Sequence, residues 1–99
     1  MLFRSKVGIG VVLEKQGNWQ KAKDEYLDVF YEKLLRDGER PSPFWTKRAG
    51  LDAARLAEDH EEWDQAFSVY KRLLEKFPEL SGLLQTKIIR ARKYSIASH

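Results

Sequence analysis

Antiparallel helix-hairpin repeats, stacked as a short all-α solenoid of about five helices, are what three features of this sequence specify. The first is an internal repeat. Trp19, Ala22 and Tyr26 stand in the spacing W-x2-A-x3-Y, and Trp63, Ala66 and Tyr70 reproduce it 44 residues later, the mark of a repeated supersecondary unit. The second is helical periodicity around both copies: Trp19, Ala22, Tyr26, Val29, Phe30 and Leu34, then Trp63, Ala66, Phe67, Tyr70, Leu73, Leu74 and Phe77, recur at three and four. The third is punctuation by Gly, Pro, Asn and Ser where one helix has to stop and the next begin.

In chain order, the first helix carries Ile9, Val12 and Leu13 as its apolar face. Glycine inside a helix costs about 1 kcal/mol relative to alanine, so Gly10, and Gly8 beside it, need a packing reason, and a close helix crossing supplies one. Gly17 suits the left-handed residue that ends this helix, and Asn18 suits the cap of the next. After the second helix, residues 37–43 form the one long loop, where Ser42 is a good N-cap and Pro43 a good first helical residue. A third helix with Ala49, Ala53, Leu56 and Ala57 leads into the fourth, which Pro78 ends. Ser81 then caps a fifth helix with Leu84, Ile88 and Ala91 on one face and Leu80 and Leu83 close by. The small residues Gly10, Ala22, Ala54 and Ala66 are the expected points of close helix approach. The expected layout is one domain over 1–99, with a helix pair at 1–36, a second at 44–78 and a sealing helix at 81–95.

Composition narrows the function. With 42% hydrophobic and 33% charged residues and 12% aromatics, the chain is neither disordered nor fibrous, and it is long enough for a modest core. The lack of cysteine removes disulfides, thiolate metal sites and thiol nucleophiles but leaves the compartment open, cytoplasmic or periplasmic. Val7 to Leu13 is far short of the roughly 20 apolar residues that span a bilayer, and no signal-peptide cleavage pattern follows it. Leu2-Phe3-Arg4-Ser5 is also what a common sequencing adapter encodes in one frame, and the first helix begins without a cap. A truncated start is therefore expected, with the chain as the C-terminal part of a longer bacterial repeat protein. The net charge of +3 sits in the tail: Lys and Arg against Asp and Glu count 8 to 7 through Arg40, 6 to 8 from Pro41 to Glu79, and 4 to 0 beyond. A nucleic-acid interface needs a basic face across the domain, which this distribution lacks.

These residues resemble the tetratricopeptide repeat, whose pattern is W-x2-L-G-x2-Y, then A-x3-F, then P, over 34 residues. The second copy fits best: Ala66, Tyr70 and Pro78 stand at the family's alanine, aromatic and proline, and Ala54 at the small residue of the preceding helix. Gly10, Ala22 and Tyr26 match in the first copy. Gly50 and Lys6 stand where the first tryptophan falls, Ala57 replaces a tyrosine and Leu34 the proline. The copies also lie ten residues further apart than the usual period, which we assign to a longer second helix plus the loop. The resemblance covers about residues 6–79. It implies a right-handed stack whose concave side, lined by the first helix of each pair, holds a peptide or partner helix. The exposed residues on that side would be Val7, Val11, Arg48, Asp52 and Arg55, with Gln85, Ile89 and Arg92 from the last helix. The carboxylate clamp of some family members carries over only at Arg55.

Each candidate site also has a simpler reading. Arg48, Asp52, Arg55 and Asp59 can hold an acidic partner, or can be surface ion pairs worth a few tenths of a kcal/mol each. Lys87, Arg90, Arg92 and Lys93 can attract an anionic polymer or membrane, but more simply complement the negative end of their own helix, so nucleic acid and membrane are not expected partners. His60, in Glu58-Asp59-His60-Glu61-Glu62, lacks the spacing of a zinc site and reads as a turn residue. Gly8-Ile9-Gly10 lies in a helical pattern and is no phosphate loop. Trp19 and Trp63 read as packing residues between neighbouring helices, while Trp45 is open between covering the loop and making a contact. No catalytic residues, metal or cofactor are expected. The chain reads as a non-catalytic protein- or peptide-binding scaffold or, alternatively, as the structural cap of a longer array or a self-associating segment.

Overall fold

The computed structural model describes residues 2–31 and 42–97, with side chains for 6–31 and 42–95. Among them are five α-helices and no strand: α1 (Leu2–Lys15), α2 (Trp19–Phe30), α3 (Pro43–Asp59), α4 (Trp63–Lys76) and α5 (Ser81–Ala97), with a 3-10 turn at Pro78–Leu80. The chain divides into two compact units, Met1–Ala53 and Ala54–His99. The first holds the α1–α2 hairpin and α3 as far as Ala53; the second holds the rest of α3 with α4 and α5. As expected, α3 opens at Pro43, and the Thr46 amide donates to the Ser42 carbonyl at 2.9 Å. Leu34 and residues 37–41 lie outside the described residues. Among the described residues α2 has 12 residues and α4 has 14; the stretch into which a longer second helix would run lies outside them.

Both hairpins turn by one device, repeated 44 residues apart. In the first, the Asn18 amide donates to the Leu13 carbonyl at 2.8 Å and the Gly17 amide to the Glu14 carbonyl at 2.9 Å. In the second, the Glu62 amide donates to the Ala57 carbonyl at 2.7 Å and the Glu61 amide to the Glu58 carbonyl at 3.0 Å. These are Schellman closures, which satisfy the last carbonyls of a helix and require a left-handed residue after its end. Gly17 takes that conformation at φ 78°, as its place predicts, but the second hairpin puts Glu61 there at φ 60°. Asn18 stands at the N-cap of α2, yet its side chain makes no capping bond. The Schellman turn holds it at φ −95°, ψ 65°, so the backbone rather than the side chain sets the entry of α2. Ser81 corrects another expectation: at φ −55°, ψ −41° it is helical, because the turn opened by Pro78 runs straight into α5.

Inside each hairpin a tyrosine ties the two helices together. Tyr26 of α2 donates its hydroxyl to Glu14 of α1 at 2.6 Å, and Tyr70 of α4 donates to Glu58 of α3 at 2.5 Å. Four residues before each glutamate, on the same helix face, stands a small buried residue, Gly10 or Ala54. A Cβ added at Gly10 would lie 2.5 Å from Tyr26 Cε1, so the ring occupies the space that a side chain would need. The first hairpin adds an ion clamp: Lys6 Nζ lies 2.7 Å from Glu25 and 3.8 Å from Asp28. The hydrogen bond that Lys6 donates to Glu25 is the main reason that its ammonium is held above its ordinary pKa. One period later, Gly50 and the fully buried Val69 replace Lys6 and Glu25.

The expected buried faces of α3 and α5 are present: Ala49, Ala53, Leu56 and Ala57, then Leu84 and Ala91, are buried, while Leu83 is exposed. The face of α1 is not as predicted. Val7 is 2% exposed, whereas Ile9 and Val12 are 48% and 53% exposed, because Gly10 and Glu14 direct the opposite side of the helix toward α2. Lys23 is buried, its stem covered and its ammonium 5.3 Å from the centre of the Trp19 ring.

Two predictions follow from this packing. Gly8 has open space where a Cβ would stand, which overturns the expected packing reason for it. Gly8→Ala therefore raises stability by about 1 kcal/mol, whereas Gly10→Ala overpacks against Tyr26 and lowers it by about 1–3 kcal/mol. Thermal unfolding by circular dichroism should show shifts of opposite sign, and shifts of the same sign would contradict the packing. The second concerns alkaline pH. Burial, then the hydrogen bond to Glu58, push the Tyr70 hydroxyl well above its ordinary pKa of 10.0, with Arg90 acting in the opposite sense. A raised folded-state pKa means that this stability is fully present below pH 10 and declines as pH rises above it. Urea midpoints should fall less steeply above pH 10 in Tyr70→Phe than in the wild type, and parallel curves would refute the assignment.

Candidate partner-binding surface

The concavity that best matches a groove lies in the first unit. Val7, Gly8 and Val11 of α1 and Trp45 and Arg48 of α3 line about 280 Å³ of open space. Spacing explains its walls: Val7 and Val11 are one turn apart on α1, and Trp45 and Arg48 are three apart on α3, so each pair shares a helix face. Val7 itself is buried and forms the base of the wall, a correction to its expected exposure. Gly8 adds bare backbone. Trp45 is half-buried, held edge-on to Phe44 with ring centres 4.8 Å apart at 83°, and the Arg48 guanidinium lies 5.8 Å from its ring centre. An apolar wall with one oriented cation is the chemistry that receives an apolar side chain beside an acidic or carbonyl oxygen.

The predicted site residues divide as follows. Arg48 lines the concavity and pairs with Asp52 at 3.8 Å. Arg55 pairs with Asp59 at 3.8 Å. Both are the i,i+4 surface pairs of the simpler reading, and both arginines remain about half exposed. Gln85, Ile89 and Arg92 are exposed on α5 at spacings of four and three, with Ile89 at 68%, and they do not line the concavity. Trp45 is the residue that sequence reasoning left open. Its position three before Arg48 was the available signal.

The basic cluster on α5 corrects another expectation. The last turn of α5 contains no basic residue, so the cluster does not complement the helix end. Instead Lys87 lies 6.0 Å from the Tyr70 ring centre and Arg90 lies 5.6 Å from that of Trp63, and Trp63 stacks on Tyr94 at 4.7 Å. Ser95 also hydrogen-bonds Asp64. Trp63 is thus a packing residue between α4 and α5, and two of the four cations are engaged with aromatic faces. His60 lies in the turn after α3. Among the described residues no group of His, Asp or Glu is arranged to hold a metal ion, and no helix is long and apolar enough to cross a membrane.

A family model for the tetratricopeptide repeat matches residues 48–79. No curated protein and no solved structure matches the chain. The matched segment runs from Arg48 through α4 to the residue after Pro78, and so contains the second closure and the Tyr70–Glu58 tie. The chain thus carries a match to the tetratricopeptide repeat at residues 48–79, and the helical fold, with the same tie and turn one period earlier, supports a protein of that type.

Proposed function

We propose that the chain is a non-catalytic protein-interaction module that holds a peptide or partner helix against the α1–α3 concavity. The family is in general one of binding scaffolds rather than of enzymes. The observation that carries the reading is the concavity itself, with Val7, Gly8, Val11, Trp45 and Arg48 around it. Its mechanism is passive. Rigid helices present an apolar wall, Trp45 offers a flat amphipathic surface at low entropic cost, and Arg48 fixes register by meeting an acceptor. The Arg48–Asp52 pair is weak and exposed, so exchanging Asp52 for a ligand carboxylate costs little. Arg55, Gln85, Ile89 and Arg92 belong to the second unit and are proposed as partner contacts of that unit.

A displayed random-peptide library, selected on the purified chain and followed by fluorescence anisotropy, tests the proposal. Selected peptides should carry an apolar residue near an acidic one. Val11→Glu and Arg48→Glu should each weaken binding at least tenfold, while Ser68→Glu on α4 leaves it unchanged. Failure to enrich any peptide, or binding indifferent to both groove variants, would count against the groove.

A further inference from the structure

Among the described α-helices, α5 alone contains no carboxylate: no Asp or Glu follows Glu79, while Lys87, Arg90, Arg92 and Lys93 all lie on it. On α3 the exposed Arg48 and Arg55 each meet an aspartate four residues on, and on α4 Lys71 and Arg72 line one open hollow with Glu75. The cations of α5 have no such neighbour on their own helix. Two of them turn to rings, Lys87 to Tyr70 and Arg90 to Trp63. Arg92 and Lys93 are exposed, and among the described residues neither meets a carboxylate or a ring. Ile89, 68% exposed, stands three residues before Arg92 and four before Lys93, so the three share one face of the helix.

We propose that Ile89, Arg92 and Lys93 form a docking point for an acidic segment of a partner protein, one that sets an apolar side chain beside carboxylates. Exposed cations that nothing on their own helix offsets favour an approaching carboxylate and disfavour a basic partner. Arg92 can receive a carboxylate with two parallel hydrogen bonds, and Ile89 supplies the apolar contact that charge alone lacks. An anionic membrane fits less well, because Gly82, Gln85 and Thr86 give this stripe no continuous apolar face to enter lipid. Nucleic acid also fits less well, because Tyr94, the aromatic residue beside these cations, is already stacked on Trp63. The proposal rests on the chain being an interaction module, but it uses the second unit, whereas the concavity is walled by residues of the first.

Fluorescence anisotropy on the full chain tests this, with a fluorescein-labelled peptide of repeated Leu-Glu-Glu triplets as the probe. It is titrated with the wild type and with a Val11→Glu, Arg48→Glu variant whose concavity no longer suits an acidic ligand. Both should bind it, less tightly as salt rises and at least tenfold less tightly when glutamine replaces its glutamates. Adding Arg92→Glu with Lys93→Glu to that variant should weaken binding at least tenfold, and Ile89→Ser should weaken it too, with unchanged helical spectra because all three positions are exposed. Lys71→Glu with Arg72→Glu, the same change of charge on α4, should leave binding as it was. Loss of binding in the Val11→Glu, Arg48→Glu variant would assign the peptide to the concavity and overturn this proposal alone. Equal weakening by the α4 and α5 pairs, no binding by the wild type, or tighter binding of labelled oligothymidylate or phosphatidylglycerol vesicles through the same α5 residues would also overturn it.

Discussion

A phenol reaching from the second helix of a pair to a carboxylate near the end of the first is the interaction on which both hairpins depend. Tyr26 to Glu14 and Tyr70 to Glu58 span the same 12 residues and lie beside the same turn. Both rings are buried, and a buried hydroxyl needs a partner. The glutamate supplies a charged acceptor, a stronger partner than a neutral one. The ring in turn needs a residue with little or no side chain one helical turn before the glutamate, which Gly10 and Ala54 meet. The Schellman closure brings the chain back over this point, so turn, small residue, carboxylate and phenol constrain one another.

With that frame repeated, the two hairpins are free to differ elsewhere, and the differences bear on binding. Lys6, Glu25 and Asp28 clamp the first pair by charge, where the second has Gly50 and Val69. The concavity has an apolar wall from Val7 and Val11 on α1 and a cation, Arg48, on α3. The left-handed residue also differs. Gly17 adopts φ 78° without steric cost, whereas Glu61 at φ 60° is held there by the closure around it.

Periodicity and punctuation made the helices, the hairpin order and most of the core readable from residues alone, because a face that recurs at three and four, followed by glycine or proline, admits few alternatives. The tie to glutamate was present in the spacing but went unread: Glu14 and Glu58 are as far apart as the tryptophans, yet charged residues near a helix end are ordinarily solvated and draw no attention. Glu61 could not be read, since nothing in a glutamate announces positive φ. The orientation of α1 was misread because Ile9, Val12 and Leu13 outweigh Gly10 in any count of apolar residues, while packing is decided by where a ring needs room. On the candidate surface, Arg48 and its pairing with Asp52 followed from i,i+4 spacing. Trp45 did not, because its place depends on how α1 and α3 meet around the concavity.

A double-mutant cycle on each tie, combining Tyr26→Phe with Glu14→Gln and Tyr70→Phe with Glu58→Gln, measures the central interaction apart from the rest of the packing. The account predicts coupling of about 1 kcal/mol or more in both hairpins, as expected for a hydrogen bond to a charged group. Additive effects at either hairpin would contradict it, and would leave the turns and the small residues to hold the pairs without the tie.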